Sequence, residues 1–507
     1  MCRSPLRLAF LLIPLALTLF ALPQIAQAAD GSVGSAGSQN TAEGTGALQN
    51  LASNGVRNTA VGFDALFSTT GGGANTAIGA AALASNTAND NTACGSYALN
   101  ANTTGDGNTA TGIDALMLNI DGNTNTANGA SALFNNTSGS NNVATGWLAL
   151  LNNTTGDGNT ASGAQALSSN TTGMSNTANG YQALFSNTTG GSNTTSTTSG
   201  NTGVGFQALY SNTTGDGNTA VGYQALYSNI NPHDPTFAVG NTAVGFLALF
   251  SNTTPFRNTA VGWEALSSNT TGDRNTANGE FALGNNTTGN DNTAVGTFGL
   301  INNSTGSSNI AVGSNAGLNL TTGSNNIDIG APGAAGEANT MRIGLKGIQK
   351  STFIAGISGV AVSGSQVVVN PNGKLGVATS SARFKEAIKP MDKVSETILA
   401  LKPVTFRYKE EIDSEGIPQF GLIAEEVEKV NPNLVARDAD GKVYTVRYEA
   451  VNVMLLNEFL KAHRKLDQQQ AMIDRQQKQI EALTATVQKV SDQISLSKPA
   501  PQLVANP

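Results

Sequence analysis

A 17-residue repeat constrains the fold of this chain more than any other feature. The motif Asn-Thr-Ala-x-Gly, with small variants, recurs seventeen times, and most successive motifs are 17 residues apart. Two insertions, before Asn201 and before Asn241, predict loops outside an otherwise regular stack. The motifs begin at Asn40, Asn58, Asn75, Asn91, Asn108, Asn125, Asn142, Asn159, Asn176, Asn201, Asn218, Asn241, Asn258, Asn275, Asn292, Asn309 and Asn326.

One unit has too few apolar residues to form a core by itself. The recurring apolar positions are the Ala and Val of Asn-Thr-Ala-Val-Gly and an Ala-Leu pair that follows, as in residues 218–226. Stacked units can share these side chains, while the Gly and Asn-Thr-Thr-Gly segments favour turns. We therefore predict a mainly β chain whose residues 29–339 form a β-solenoid with two short strands and two turns per unit. Seventeen coils at about 4.8 Å each would make a rod roughly 80 Å long.

The position directly after the motif glycine carries bulky side chains in many units. These residues predict a packing ladder along the rod or a seam between three rods, and a stripe that stacks sugars would use the same residue types, so a glycan ligand stays open. The bulky residues are Phe63, Ile113, Trp147, Tyr181, Phe206, Tyr223, Phe246 and Trp263. The repeats resemble the heads of trimeric autotransporter adhesins over residues 40 to about 330, although the unit here is longer.

Two further features of the repeats carry alternative interpretations. Cys94 replaces the usual Val or Ile of its motif, and we expect a small buried side chain there rather than a reactive thiol. The Thr-Gly-Asp-Gly turns at Asp106, Asp157 and Asp216 resemble calcium-binding repeat turns, but the nine-residue period of those proteins is absent. We therefore expect no metal.

Charge is divided unevenly along the chain. Residues 30–339 contain three cations, Arg57, Arg257 and Arg274, against sixteen acids, whereas residues 340–507 are close to balanced. Neither part has a basic patch for phosphate backbones, so nucleic acid is not an expected partner. With two histidines and two cysteines in 507 residues, His/Cys metal sites, disulfide frameworks and cofactors are not expected. The change in composition near residue 340 predicts a domain boundary.

Residues 1–28 have the pattern of a secretory signal peptide. Arg3 and Arg7 precede an apolar run, and Ala26-Gln27-Ala28 forms a cleavage site. A membrane anchor is the alternative, but Pro14 and Pro23 interrupt the run and it is shorter than a comfortable span of about 20 residues. We predict cleavage after Ala28, no stable membrane span in the mature chain, and a secreted or cell-surface location.

The carboxyl-terminal third has a different organisation. Strand-like runs at 351–356 and 366–369, with a turn at 370–373, predict a β-rich stalk over residues 340–379. Residues 380–452 alternate between helical and strand patterns, with a helix expected over 391–401 and a strand over 403–408. This segment predicts a small α+β domain.

Several motifs of this domain together resemble the endosialidase-type intramolecular chaperone, a self-cleaving serine peptidase module found at the ends of phage tail spikes and fibres. The matching segments, spread over roughly residues 379–495, are Ser380–Lys385, Pro403–Tyr408, Gly421–Val427, Pro432–Val435 and Val446–Tyr448. Ser381 stands where that family usually has Asp.

The resemblance implies acyl transfer within the chain. Ser380 would attack the carbonyl of Thr379, water would hydrolyse the resulting ester, and Lys385 would act as the base. Lys385 must then be neutral at the moment of attack, which burial or the neighbouring cations Arg383 and Lys389 would favour. The chain would be a single-turnover peptidase with no external substrate. The alternative is that Ser380 and Lys385 are solvated linker residues of an uncut trimerisation domain.

The last helical segment, residues 453–495, has a seven-residue apolar repeat typical of a coiled coil. The family resemblance implies three strands, hence a homotrimer; an amphipathic helix that folds back on the domain is the alternative for the first turns. The Pro-rich residues 496–507 are expected to be disordered. The core positions are Phe459, Ala462, Leu466, Gln469, Ile473, Gln476, Ile480, Leu483, Val487, Val490 and Ile494.

These features together predict an exported trimeric fibre with an adhesin-like role, whose carboxyl-terminal chaperone aligns three chains and then cuts itself off between Thr379 and Ser380. A prophage tail fibre or spike has the same module, but the signal peptide argues against cytoplasmic assembly. A polysaccharidase would need clustered carboxylates, and the acids of the repeats are scattered. A structural fibre with an uncut trimerisation domain is the remaining alternative.

Overall fold

The computed structural model describes residues 39–52, 54–189, 200–230, 240–349, 351–355, 357, 363–370, 372–438 and 440–497. The chain divides into two compact units, residues 1–353 and residues 354–507. The predicted signal peptide, most of the two insertions and the end of the tail from residue 498 lie outside the described residues.

The first unit is a β-solenoid, as the repeat predicts, but each coil has one short strand rather than two. Within the described residues, eighteen three-residue strands pair in parallel, each with the next along the chain. Equivalent residues face one another even across the insertion before Asn201, where Thr177 pairs with Thr202. The strands are Thr41–Glu43, Thr59–Val61, Thr76–Ile78, Thr92–Cys94, Thr109–Thr111, Thr126–Asn128, Val143–Thr145, Thr160–Ser162, Thr177–Asn179, Thr202–Val204, Thr219–Val221, Thr242–Val244, Thr259–Val261, Thr276–Asn278, Thr293–Val295, Ile310–Val312, Ile327–Ile329 and Met341–Ile343.

The interior of the solenoid is built from alanine and leucine. Successive residues of a strand point to opposite sides, so Ala220 is buried and its neighbour Val221 is exposed. The Ala-Leu pair that follows, Ala225 and Leu226 in this coil, is also fully buried. The expectation that the motif valine lies in the core is therefore wrong. Cys94 occupies the same outward position and is exposed, which also corrects the prediction of a buried side chain.

Left-handed backbone explains why the rest of each coil is not a second strand. In the coil of Asn218, Gln224 and Leu226 both have φ of 52°, so the chain turns sharply between strand ends. Coils are joined by hydrogen bonds between turns, such as Leu226 N to Ala248 O at 3.0 Å. Gly222 has φ of 140°, and a Cβ there would lie 2.2 Å from Gly245 O. The motif glycine is therefore required by both its backbone angle and the close approach of the next coil.

Two rows of buried asparagines run through the solenoid. In one row, Asn142 N donates to Asn125 Oδ1 at 3.0 Å and Asn142 Nδ2 donates to Gly156 O at 2.8 Å. In the other row, Asn153 Nδ2 donates to Asn136 Oδ1 at 2.8 Å and to Gly156 O at 2.9 Å. Each amide thus satisfies polar groups of its own coil and the adjacent coil, because buried polar groups need partners.

The aspartates of the outer turns also act between coils. Asp106 Oδ1 accepts from Asn89 N at 2.7 Å, and Asp157 Oδ1 accepts from Ser140 N at 2.7 Å. Asparagine and serine perform this role elsewhere, as Asn123 does for Asp106 N. These contacts give Asp106 and Asp157 a structural reason to be present in turns that resemble calcium-binding ones.

The last full coil contains a buried acid. Asp328 replaces the motif alanine in the strand Ile327–Ile329 and is completely buried. Neither of its carboxylate oxygens has a hydrogen-bond partner among the described residues. Burial, and to a smaller degree the nearby Glu337, raise the pKa of Asp328 to about 6, and Arg342 opposes this only partly. The Arg342 guanidinium instead pairs with Glu337 at 2.6 Å.

The second unit is a small α+β module followed by one long helix. Its antiparallel strand pairs are Val367–Val369 with Leu375–Val377, Val404–Phe406 with Gln419–Gly421, and Val435–Arg437 with Val443–Val446. Its helices are the 3-10 helices Ala382–Phe384, Asp392–Ala400 and Pro432–Leu434 and the α-helices Ala424–Val430 and Tyr448–Leu496.

The sequence predictions for this unit are partly correct. The expected helix over 391–401 is the 3-10 helix Asp392–Ala400, and the expected strand over 403–408 is Val404–Phe406. The strand expected at 351–356 does not form within the described residues 351–355. Among the described residues, no helix is both long and apolar enough to cross a membrane.

Candidate functional site

The predicted nucleophile and base lie at the two ends of one tight turn. The hairpin strand Leu375–Val377 ends three residues before Ser380, and the 3-10 helix Ala382–Phe384 follows at once. Phe384 N donates to Ser381 O and Lys385 N donates to Ala382 O, both at 3.0 Å. The five-residue spacing between Ser380 and Lys385 is therefore closed into a compact loop.

The two side chains are not assembled into a dyad within one chain. Ser380 and Lys385 are exposed, as are all residues from 372 to 390, and no hydrogen bond joins Ser380 Oγ to Lys385 Nζ in the described part of the chain. Of the neighbouring cations, Arg383 lies over the ring of Phe384 at 4.6 Å from the ring centre. A catalytic role for Ser380 and Lys385 stays a prediction, and burial of the pair would have to come from groups outside this loop.

The same unit has an open apolar groove of about 500 Å³. Ile398, Leu401, Phe420 and Leu455 line it, and Phe420 is 83% exposed. At its edge, the hydroxyl of Tyr448 accepts a hydrogen bond from Leu422 N at 2.9 Å. The groove thus lies beside the first turn of the long helix, with an exposed phenyl ring at its rim.

A polar cluster that sequence reasoning missed joins the 3-10 helix Asp392–Ala400 to the long helix. The buried Ser395 hydroxyl donates to Glu458 Oε1 at 2.5 Å and accepts from Asn457 Nδ2 at 2.7 Å. Lys461 Nζ lies 2.7 Å from Glu458 Oε1 and 3.3 Å from Ser395 Oγ. Pairing lowers the pKa of Glu458 and raises the pKa of Lys461, so this lysine is held in its charged form and suits a structural ion pair rather than a base.

The long helix Tyr448–Leu496 exposes the apolar side chains of its seven-residue repeat. After the buried Met454 at its start, Leu466, Ile473, Ile480 and Val487 are all more than half exposed. A helix of 49 residues with one uncovered apolar stripe is what a coiled-coil partner would cover.

On the solenoid, the bulky position after the motif glycine forms an exposed ladder, as predicted. Tyr181, Phe206, Tyr223, Phe246 and Trp263 stack ring on ring, with consecutive ring centres 4.3–5.5 Å apart. Tyr181, Phe206, Tyr223 and Trp263 are 39–50% exposed, and Phe246 is half-buried. The ladder is therefore a surface feature of these five coils.

A second ladder, which the sequence reasoning did not single out, lies four residues further along the same coils. Phe185, Tyr210, Tyr227 and Phe250 stack with ring centres 5.1–5.3 Å apart and are half-buried. Between the two ladders, a row of glutamine amides runs from Gln165 to Gln224. The signal was present in the sequence as a second aromatic position with the same period of 17.

Comparison with known proteins identifies one segment. Residues 380–436 match the model of a peptidase family described as the chaperone of endosialidase, and the match begins at Ser380. This confirms the resemblance expected from the motifs of the carboxyl-terminal domain. No curated protein and no solved structure matches the chain significantly. A β-solenoid followed by a chaperone of endosialidase segment suggests a tail-fibre-like protein.

Proposed function

We propose that this chain is an exported, trimeric surface fibre whose carboxyl-terminal module aligns three copies and then releases itself by cleavage between Thr379 and Ser380. The observation that carries the proposal is the chaperone match over residues 380–436, which begins at the predicted nucleophile in an exposed loop. The signal-peptide pattern of residues 1–28 supports export.

Trimerisation is supported by surfaces that a single chain leaves uncovered. The apolar stripe of the long helix is exposed, and so is the rim of the groove around Phe420. A solenoid of near-identical coils also has many alternative alignments with its neighbours. A module that sets one alignment before the coils form therefore meets a physical need of this fold.

The cleavage step needs only the groups of the loop and one water molecule. Ser380 Oγ gives its proton to the neutral amine of Lys385 and bonds to the carbonyl carbon of Thr379, and the amide nitrogen of Ser380 leaves with that proton. Water then splits the ester, giving a carboxylate on Thr379 and a free amino terminus on Ser380. In the trimer, partner copies would bury Lys385. This burial would favour the neutral form of its amine.

The test is the mass of the purified full chain beside three variants. We expect the parent to separate into residues 29–379 and 380–507, and the Ser380→Ala and Lys385→Gln variants to stay whole. The Ser381→Ala variant is the matched control, because it removes the adjacent hydroxyl and should still be cut. An uncut parent, or cleavage that persists in Ser380→Ala, would contradict the proposed peptidase.

A tail fibre or spike assembled in the cytoplasm is the second candidate, favoured by the same chaperone match. The two differ in the use of residues 1–28. Fusing these residues to a reporter enzyme that is active only after export distinguishes them, since an exported fibre predicts an active reporter and a cytoplasmic fibre an inactive one. For the rod itself, exposed aromatic residues after the motif glycine, such as Trp147, support a ligand-presenting role, with glycans as the ligand class.

A further inference from the structure

The middle of the exposed aromatic ladder has no free ring faces. Each ring from Phe206 to Phe246 has a stacked neighbour on both sides, with ring planes within 25° of parallel in those pairs. Stacking of a sugar requires an open face, because the electron-rich ring face attracts the C–H groups of the pyranose. Only ring edges are presented to solvent there, so a sugar has to be accommodated elsewhere on the rod.

At one place along the row of residues that follow the motif glycines, two aromatic residues are separated by a small one. Gln165 N donates to Trp147 O at 2.8 Å, and Gln182 N donates to Ala164 O at 3.0 Å, so Trp147, Ala164 and Tyr181 lie at the same position on three consecutive coils. Trp147 is 54% exposed and Tyr181 is 45% exposed. Phe206 covers one side of Tyr181, and the other side faces the coil of Ala164. We name the gap above Ala164, between Trp147 and Tyr181, the ring slot.

The ring slot has the width of a sugar rather than of a flat ring. Two coils of a parallel sheet separate its walls by roughly 10 Å. A flat ring in contact with both walls would need only about 7 Å, at about 3.5 Å per contact. A pyranose chair is thicker because its axial hydrogens project on both sides, and it fills most of the larger space.

Polar groups beside the slot match a neutral hydroxylated ligand. Gln165, next to Ala164, accepts at Oε1 from Gln182 Nε2 at 2.8 Å, and it is the first member of the glutamine row because Leu148 occupies the equivalent place one coil earlier. Its own Nε2 donates no hydrogen bond within the described residues, so it can donate to a hydroxyl oxygen. None of the three cations of residues 30–339 lies on these coils, so an acidic sugar has no counter-charge.

We propose that the ring slot binds one neutral hexopyranose unit of a glycan, held between Trp147 and Tyr181 and hydrogen-bonded by Gln165. The inference rests on the rod being the ligand-presenting part of the proposed fibre. It does not depend on whether the chain is cut at Ser380, so the mass measurement and a binding measurement can fail independently.

The test uses the full chain with Trp263→Phe, which leaves Trp147 as its one tryptophan, because the sequence has two. Cellohexaose, chitohexaose and maltohexaose are titrated while tryptophan fluorescence is recorded. We expect a saturable change with at least one of them. Adding Ala164→Phe continues the ladder through the slot with a residue type that the ladder already uses, and should weaken binding about tenfold or more.

Two further variants complete the design. Tyr181→Ala removes one wall and should weaken binding to a similar extent, whereas Phe63→Ala removes an exposed ring on a coil outside the slot and should leave binding unchanged. No saturable response to any of the three oligosaccharides would overturn the proposal. Equal binding in Ala164→Phe and its parent, or equal loss in Phe63→Ala and Tyr181→Ala, would overturn it as well.

Discussion

The solenoid buries its recurring Ala and Leu side chains, whereas the carboxyl-terminal unit leaves many of its apolar side chains exposed. In each regular coil, the motif Ala and the Leu that follows are completely buried by the coils above and below. In the second unit, the buried apolar core consists of Val427, Leu434, Val435, Val446 and Met454. The hairpin and the part of the long helix beyond Met454 expose their apolar side chains. Successive coils of the rod thus cover one another's apolar residues, whereas the second unit has apolar surfaces that another copy would cover.

Breaking the apolar stripe of the long helix should have the largest effect, because it removes assembly. Ile473→Asp combined with Ile480→Asp places two charges per chain in the proposed three-stranded core, where unpaired charges are strongly disfavoured. We expect light scattering to show single chains instead of trimers. Ala471→Asp with Lys478→Asp, on the opposite face of the helix, is the matched control and should leave the trimer intact. Trimers that survive the first pair would contradict the assignment of the stripe.

Breaking the buried asparagine row should destabilise the rod without affecting the carboxyl-terminal unit. Asn136→Ala removes two donated bonds and one accepted bond. It leaves the buried Asn119 Oδ1 without its donor, whereas Gly139 O still accepts from Asn125 Nδ2 and Asn153 Nδ2 still donates to Gly156 O. At about 1–3 kcal/mol for the unpaired oxygen and about 0.5–1.5 kcal/mol for each of the other two lost bonds, we expect a loss of about 2–6 kcal/mol in local stability. Hydrogen exchange of the coil amides measures this. Asn135→Ala, half-buried with one side-chain bond, should cost about 1 kcal/mol or less; equal costs at both sites would show that the row does not hold the coils.

The buried Asp328 predicts a pH dependence for the end of the rod. Its pKa is raised in the folded chain from 3.8 to about 6, so the folded state binds the proton more tightly than the unfolded state. Stability should therefore be greatest near pH 4, fall as the pH rises to about 6, and then level off. Glu337, whose pKa is lowered by Arg342, acts in the opposite sense and loses its contribution as the pH falls below its usual range.

Hydrogen exchange of the last coil, followed from pH 4 to pH 7 with correction for the intrinsic exchange rate, measures this dependence. Asp328→Asn should remove the decrease between pH 4 and pH 6, because an amide has the same shape and does not ionise in this range. Glu337→Gln is the matched control and should keep that decrease. An unchanged profile in Asp328→Asn would show that the buried acid is not its source.

The smallest expected effect is the difference in stability between removing a stacked ring and removing an unstacked ring from the rod. Tyr223→Ala removes two stacking contacts, whereas Phe63→Ala removes a ring whose neighbouring coils carry Thr45 and Ala80 at that position. At about 0.5–1.5 kcal/mol per aromatic pair, Tyr223→Ala should cost about 1–3 kcal/mol more than Phe63→Ala. Thermal unfolding of the two variants compares them. Equal melting temperatures would mean that the ladder does not stabilise the rod.

The period of 17 was sufficient to predict the solenoid, the sharing of a core between coils and the aromatic ladder. It did not give the direction of individual side chains, because in a three-residue strand a shift of one position exchanges inside and outside. Val221 and Cys94 were therefore placed wrongly. The prediction of a second strand per coil was also wrong. Nothing in the sequence indicates that a leucine such as Leu226 adopts a left-handed backbone conformation.

At the candidate cleavage site, the sequence identifies the segment but does not show how its catalytic groups come together. The motif around Ser380 and Lys385 was sufficient to identify the chaperone segment, because its residue types and spacing are specific. The groups that would bury Lys385 are not within the same loop, so neither the sequence nor one folded chain assembles the dyad. Ser395 was missed because its partners Asn457, Glu458 and Lys461 are more than 60 residues away, a distance at which a single sequence gives no pairing signal.

Sedimentation equilibrium of the Ser380→Ala chain, which is expected to stay whole, tests most directly whether the carboxyl-terminal unit is completed by other copies. We expect a mass of three chains, with the apolar stripe of the long helix and the hairpin protected from hydrogen exchange. A single-chain mass at micromolar concentration, with the helix exchanging freely, would contradict it.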